Sequence, residues 1–146
     1  MSKIYIPIAL RLIVIKRASE RCEYCQSPAS YSPEIFEVEH IQPISAGGVT
    51  ELSNLALACP ACNRYKGSYQ SVTDPETDQV VLLFNPRLHD WLDHFIWSDD
   101  LTTIESLTSI GRVTIVTLHM NRPAVQHFRA ALQAIGQHPA QFDTYP

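Results

Sequence analysis

Long apolar runs are missing from this 146-residue chain: the seven residues Ile4–Leu10 are already interrupted by Pro7, and the eight residues Leu55–Cys62 by Pro60. A helix that crosses a membrane needs about 20 apolar residues, so none is expected. Also missing is the surplus of lysine and arginine that nucleic-acid-binding chains usually display: the formal net charge is −4. The N-terminus has neither a basic segment of useful length nor a small-residue cleavage site, which leaves no sign of a secretory leader and points to a soluble, cytoplasmic protein. Internal repeats and low-complexity stretches are absent. With 45% hydrophobic and 18% charged residues, the composition is neither disordered nor fibrous.

The charge is unevenly placed. Residues 1–30 carry Lys3, Arg11, Lys16, Arg17 and Arg21 against Glu20 and Glu23, a net +3, whereas residues 71–100 set Arg87 against seven acids, a net −6. A polyanion can therefore meet a basic N-terminal face without touching the acidic stretch, and a one-sided contact leaves room for an accessory protein to add affinity.

Breakers divide the chain. Pro7 suits the first turn of a helix running to about Ala18, with Ile8, Leu12 and Ile15 facing the core and Arg11 and Lys16 outside. Residues 35–41 alternate with period two and read as a strand. The adjacent glycines Gly47 and Gly48 require a loop. Leu55 to Ala58 is a short apolar segment, and Pro60 suits position N1 of a short helix ending near Gly67. Beyond Gly67 the readings are a turn at 74–78, a strand from Val80 to Phe84, and a strand from Trp91 to Trp97. Trp91, Phe95 and Trp97 form a core stripe there, and 101–107 pairs with it. Arg112 to Met120 reads as either strand or helix, and a last helix runs from Pro123 to Ile135. The fold class is α+β, with residues 1–70 as an N-terminal unit and 71–146 as an extension packed on it, in one compact domain.

The four cysteines form two C-x-x-C pairs, Cys22/Cys25 and Cys59/Cys62. In a reducing compartment such pairs persist as metal ligands more readily than as disulfides, and two knuckles supply the four thiolates of a closed, structural Zn²⁺ site. A thiol redox role is disfavoured because neither pair lies in a βαβ pattern.

What the knuckles enclose is more specific. Arg21-Cys22-Glu23-Tyr24-Cys25 is followed by Val38-Glu39-His40-Ile41-Gln42-Pro43, Gly47-Gly48, Asn54-Leu55-Ala56-Leu57 and Cys59-Pro60-Ala61-Cys62-Asn63-Arg64-Tyr65-Lys66-Gly67. This ordered set, over residues 21–68, resembles the HNH endonucleases, in the zinc-knuckle form of the ββα-metal nucleases. The tail is similar to an extension found in some bacterial members. The resemblance implies a DNA endonuclease with His40 as general base and Asn54 holding the loop that orients it. It places Asn63 at the third position, where the family has histidine or asparagine as a metal ligand, making this an H-N-N variant. Glu39 stands where aspartate is common.

The chemistry agrees with that reading. Phosphodiester hydrolysis needs an activated water and a cation that neutralises the phosphoryl charge. A hard ion such as Mg²⁺ or Mn²⁺ is served by one carboxylate (Glu39), one amide oxygen (Asn63) and the substrate phosphate. A histidine titrating near neutrality suits the base. Adjacent strand residues face opposite sides, so Glu39 and His40 would flank the phosphate, or a bulge would re-aim one of them. Arg64 and Lys66 are the expected phosphate contacts. A monomer suffices to nick; a double-strand cut needs two sites, as in a homodimer, or two visits. The alternative is a catalytically silent zinc-held module that binds nucleic acid or protein.

Overall fold

Pro7, with φ −56°, stands at the N-cap of α1 (Ile8–Arg17), where a missing amide hydrogen costs nothing. The computed structural model describes residues 5–141, so Lys3 lies outside the described residues. Helix α1 is apolar on nearly every side, and the face it buries differs from the expected one. Val14 and Ala18 are sealed with Leu10 and Ile15 beside them, while Ile8 and Leu12 are 68% and 62% exposed. The guanidinium of Arg17 accounts for the choice. It donates to the carbonyls of Leu52 and Leu55 at 2.9 and 2.7 Å, which turns the side carrying residues 10, 14 and 17 inward.

Strands β1 (Glu37–His40) and β2 (Leu55–Ala58) pair antiparallel, Glu37 opposite Ala58 and His40 opposite Leu55, in unbroken register. Helix α2 (Pro60–Lys66) follows directly. Pro60 fills its first turn, the Cys59 sulfur accepts from the Cys62 amide as its cap, and Gly67, at φ +52°, ends it. The small sheet separates two surroundings. Val38, Leu55 and Leu57 pack with α1, whereas Ala56 and Ala58 join the larger core and Glu39 turns to α2. These elements form a ββα unit, and the fold class is α+β.

The extension begins with the hairpin of β3 (Ser71–Thr73) and β4 (Val80–Leu82). Trp91 to Trp97 is not one strand: a helical turn, α3 (Trp91–His94), precedes β5 (Phe95–Trp97). The cause is tertiary, because the Trp91 indole donates to the Tyr24 carbonyl at 2.7 Å inside the first knuckle. Strand β6 (Ile104–Ser106) pairs with β5. The ambiguous stretch at 112–120 is helical, within α4 (Ser109–Thr117). The Thr108 hydroxyl caps it by accepting from the Gly111 amide, and Thr114 satisfies its own hydroxyl on the Ile110 carbonyl, so these β-branched residues do not need a strand. Helix α5 (Pro123–Ala134) is the last helix among the described residues, and Gly136 follows it at φ +73°. One buried core runs from Cys22, Tyr24 and Cys59 through Phe84, Trp91 and Phe95 to Leu118 and Met120, joining the extension to the ββα unit.

Asp74 fixes the hairpin to α4. Its side chain is sealed from solvent, takes an ion pair from Arg112 at 2.5 Å and accepts from the Glu76 amide. The Arg112 hydrogen bonds hold the Asp74 carboxyl below its ordinary range. A depressed carboxyl adds stability above its unfolded value, near 3.9, and that stability is lost as pH falls through the lower folded value. Asp74→Asn is therefore expected to lower the melting temperature at neutral pH and to flatten its decline in acid, measured by circular dichroism between about pH 2 and 7.

Candidate active site

The metal centre is built by two turns that the sequence places far apart. The first knuckle closes through the Gln26 amide to the Cys22 carbonyl and the Cys22 amide to the Ser27 carbonyl. The second is the start of α2 itself. All four sulfurs of Cys22, Cys25, Cys59 and Cys62 lie within 4.8 Å of one another, buried and without a disulfide. The Cys25 and Cys59 sulfurs are 3.8 Å apart, about the edge of a tetrahedron with Zn–S bonds near 2.3 Å. Burial pushes the Cys22 thiol well up, while hydrogen bonds among the thiols pull Cys25 well down. A buried set of this kind needs a cation before all four become thiolates, and the donor type, number and spacing fit Zn²⁺ in a closed site.

The intervening residues of the first knuckle are anchors. The Glu23 amide donates to the Leu57 carbonyl, and its carboxylate accepts from the Leu57 amide, both at 2.8 Å, and pairs with Arg87. The Tyr24 hydroxyl bonds Glu39. The zinc centre is thus tied to both strands of the ββα sheet and to the extension.

His40 ends β1, half-buried, and its Nε2 lies 2.8 Å from the Thr50 hydroxyl. Burial lowers its pKa. Asn54 pins the loop between the strands at three points: its Oδ1 accepts from the Gln42 amide at 2.8 Å, and its Nδ2 donates to the carbonyls of Gln42 and Val49 at 3.0 and 2.9 Å. Gly48 is required where this loop folds on itself, since a Cβ there would lie 1.8 Å from the Gln42 carbonyl oxygen. Asn54 therefore fixes the segment that carries Thr50 and, through it, the imidazole.

Glu39 and Lys66 stand differently from the sequence expectation. The Glu39 carboxylate is buried. One oxygen takes the Tyr24 hydroxyl and the other the Lys66 ammonium at 3.3 Å, and that ammonium also donates to the Ile41 carbonyl at 3.0 Å. Burial pushes the Glu39 carboxyl up, against the pull of Lys66 and Tyr24. Lys66 is only 2% exposed, so it is no phosphate contact: its position one turn beyond Asn63 aims it under β1. Asn63 donates its amide to Glu37, which shares the period-two face of Glu39 but lies open to solvent. Glu39 and Asn63 are thus not assembled around a divalent cation, and no bulge re-aims His40 toward them. Arg64 remains exposed, its guanidinium over the Tyr65 ring.

The basic N-terminal face is also reduced. Arg11 donates to the Ile6 carbonyl, Arg17 to Leu52 and Leu55, and Arg21 to Gln26, leaving Lys16, among the described residues, as the exposed cation of that segment. Sequence reasoning missed Thr50, Tyr24 and Glu37. Of these only Glu37 left a signal, the strand alternation that puts it level with Glu39.

Because Lys66 neutralises a buried carboxylate, Lys66→Ala is expected to destabilise the fold by about 3–5 kcal/mol, the cost of an uncompensated buried charge. Urea unfolding measures it. A surface phosphate contact would leave the midpoint unchanged.

Residues 22–68 match the family model for HNH endonucleases. The chain is also similar to the Septu protein PtuB of Bacillus thuringiensis, 24% identical over 115 residues. That alignment covers 77% of this chain and 41% of PtuB, so the chain spans less than half of its relative. No solved structure matches significantly. The resemblance read from the knuckles and the segment between them holds over the matched residues, and at the level of the family it supports a nuclease-type activity.

Proposed function

We propose that this chain is a metal-dependent DNA endonuclease in which His40 activates water for attack on a phosphodiester. The observation that supports this most is the hold on His40. A half-buried imidazole of lowered pKa is braced by Thr50 on a loop that Asn54 fixes at three points. A neutral imidazole at neutral pH is the form that accepts a proton from water. Thr50 and Asn54 are positioning residues, and a binding module has no need of such a brace.

A divalent cation such as Mg²⁺ or Mn²⁺ supplies charge neutralisation at the transferring phosphoryl when bound. The carboxylates of β1 that face α2 are Glu37, open and beside Asn63, and Glu39, closed by Lys66. Glu39, held by Tyr24 and Lys66, is not gathered with Asn63 around a cation position. What the chain's own residues do is hold the base, exclude disorder from its loop and offer Arg64 to a phosphate at the end of α2. Zinc in the four-cysteine centre is structural. A single copy carries one such site and suffices to nick; a homodimer or an accessory protein belongs to double-strand cutting.

The test is conversion of supercoiled plasmid to nicked circles by zinc-loaded protein, with Mg²⁺, with Mn²⁺ and with no added divalent ion. Nicking that appears only with the added ion, and weakens as salt rises, is the expected result. Intact plasmid under every condition would favour the catalytically silent binding module.

A further inference from the structure

A cleft of about 450 Å³ opens between the loop that braces His40 and the first part of the extension. Gln42, Val49 and Asn54 form one wall, and Leu82 to Asn85, Leu88 and His89 form the other, with Tyr69 and Gln70 between them. The volume lies within the range of small-ligand sites. Its charge is the unusual part. No carboxylate lines it, although it is bordered by the chain's most acidic stretch. Its lysine, Lys66, is committed to Glu39 and the Ile41 carbonyl. Such a lining offers no counter-charge to a phosphate and none to a cation. It suits a neutral ligand.

The surfaces specify more. Val49, Leu82 and Leu88 are exposed apolar residues, and Tyr69 is 56% exposed. Around them stand hydrogen-bonding groups with no partner among the described residues. The Gln70 amide makes no side-chain bond. Asn85 uses its Oδ1 on the Arg87 amide and keeps its Nδ2. His89 accepts from the Asn85 amide at Nδ1, which leaves Nε2 as its other ring nitrogen. A flat, neutral, aromatic ligand with a polar edge satisfies both sets, and a nucleobase out of its stack is such a ligand.

We propose that this cleft receives an unstacked nucleobase, its face on Tyr69 and its edge toward Gln70, Asn85 and His89, so that nucleic acid with an unpaired nucleotide is preferred over continuous duplex. This rests on the nuclease reading and adds a substrate class to it: the loop that orients His40 also forms a wall of the cleft, so the base and the scissile backbone are recognised side by side. The extension then acts as a substrate-selecting wall, and its acidity turns the duplex backbone away from that side.

The experiment is fluorescence anisotropy with full-length, zinc-loaded protein and no added divalent ion, at one fixed salt concentration. Three labelled DNAs are compared: a paired duplex, the same duplex with a central one-nucleotide bulge, and that bulge with an abasic residue in place of its nucleotide. The bulged duplex is expected to bind about tenfold tighter or more, the scale of a base–aromatic stack, and the abasic bulge to fall back to the paired duplex. Tyr69→Ala, an exposed substitution, should erase the preference and leave paired-duplex affinity and melting temperature unchanged. His89→Ala should reduce it. Equal affinity for all three DNAs, or a Tyr69→Ala variant that keeps the full preference, overturns the assignment. Plasmid nicking by wild type without a bulge preference sinks only the cleft; a bulge preference without nicking sinks only the nuclease.

Discussion

Stripping the metal from the four-cysteine centre is expected to unfold the ββα unit rather than merely slow it. The second knuckle is the cap and first turn of α2, and the first is bonded through Glu23 and Tyr24 to β2 and β1. Without a cation, four buried sulfurs within 4.8 Å lose their common partner, and burial, which pushes the Cys22 thiol well up, opposes a full set of thiolates. Structural zinc contributes about 10–16 kcal/mol of apparent binding energy in small domains near neutral pH, against a total stability of about 5–15 kcal/mol for a domain. Cys59→Ser, or a strong chelator, should therefore abolish the cooperative thermal transition. A chelated protein that melts cooperatively at the same temperature, with all four thiols titrated, would make the cluster ordinary core.

His40→Ala has the second large effect, and it is of the opposite kind. The side chain is half-buried and makes one hydrogen bond, to Thr50, so its loss should move stability by about 1 kcal/mol or less. Removing a general base typically costs about 10²–10⁴-fold in rate, or roughly 3–5 kcal/mol of barrier. Thr50→Val should cost less, because the imidazole stays and only its brace is lost. Separation of rate from stability is what distinguishes a base from a structural histidine. Single-turnover nicking rates and thermal melts on the same preparations measure it.

Much of this arrangement is legible before any coordinates. Pro60 and Gly67 bound α2, alternation over 35–41 marks β1 with a few residues to spare, and the two C-x-x-C pairs define the zinc centre, because each signal is local and fixed by backbone chemistry. The failures have tertiary causes. Helix α1 carries apolar residues on nearly every side, so periodicity alone does not choose its face; the reach of Arg17 to two carbonyls 35 and 38 residues away does. The turn at Trp91 depends on a carbonyl in the first knuckle. Nothing in the string Asn63-Arg64-Tyr65-Lys66 says that Arg64 stays in solvent while Lys66 is buried against Glu39. The acidic balance also reads differently in the structure. The exposed cations are fewer than the sequence suggests, and the cleft beside the His40 loop owes its character to the carboxylates it lacks.

The most direct measurement of the central claim is a side-by-side plasmid-nicking assay of wild type and His40→Ala, both carrying one equivalent of zinc and both melting at the same temperature. The account predicts nicked circles from wild type with Mg²⁺ or Mn²⁺ and intact supercoiled plasmid from His40→Ala over the same time. Equal nicking by the two proteins, or none by either, contradicts it.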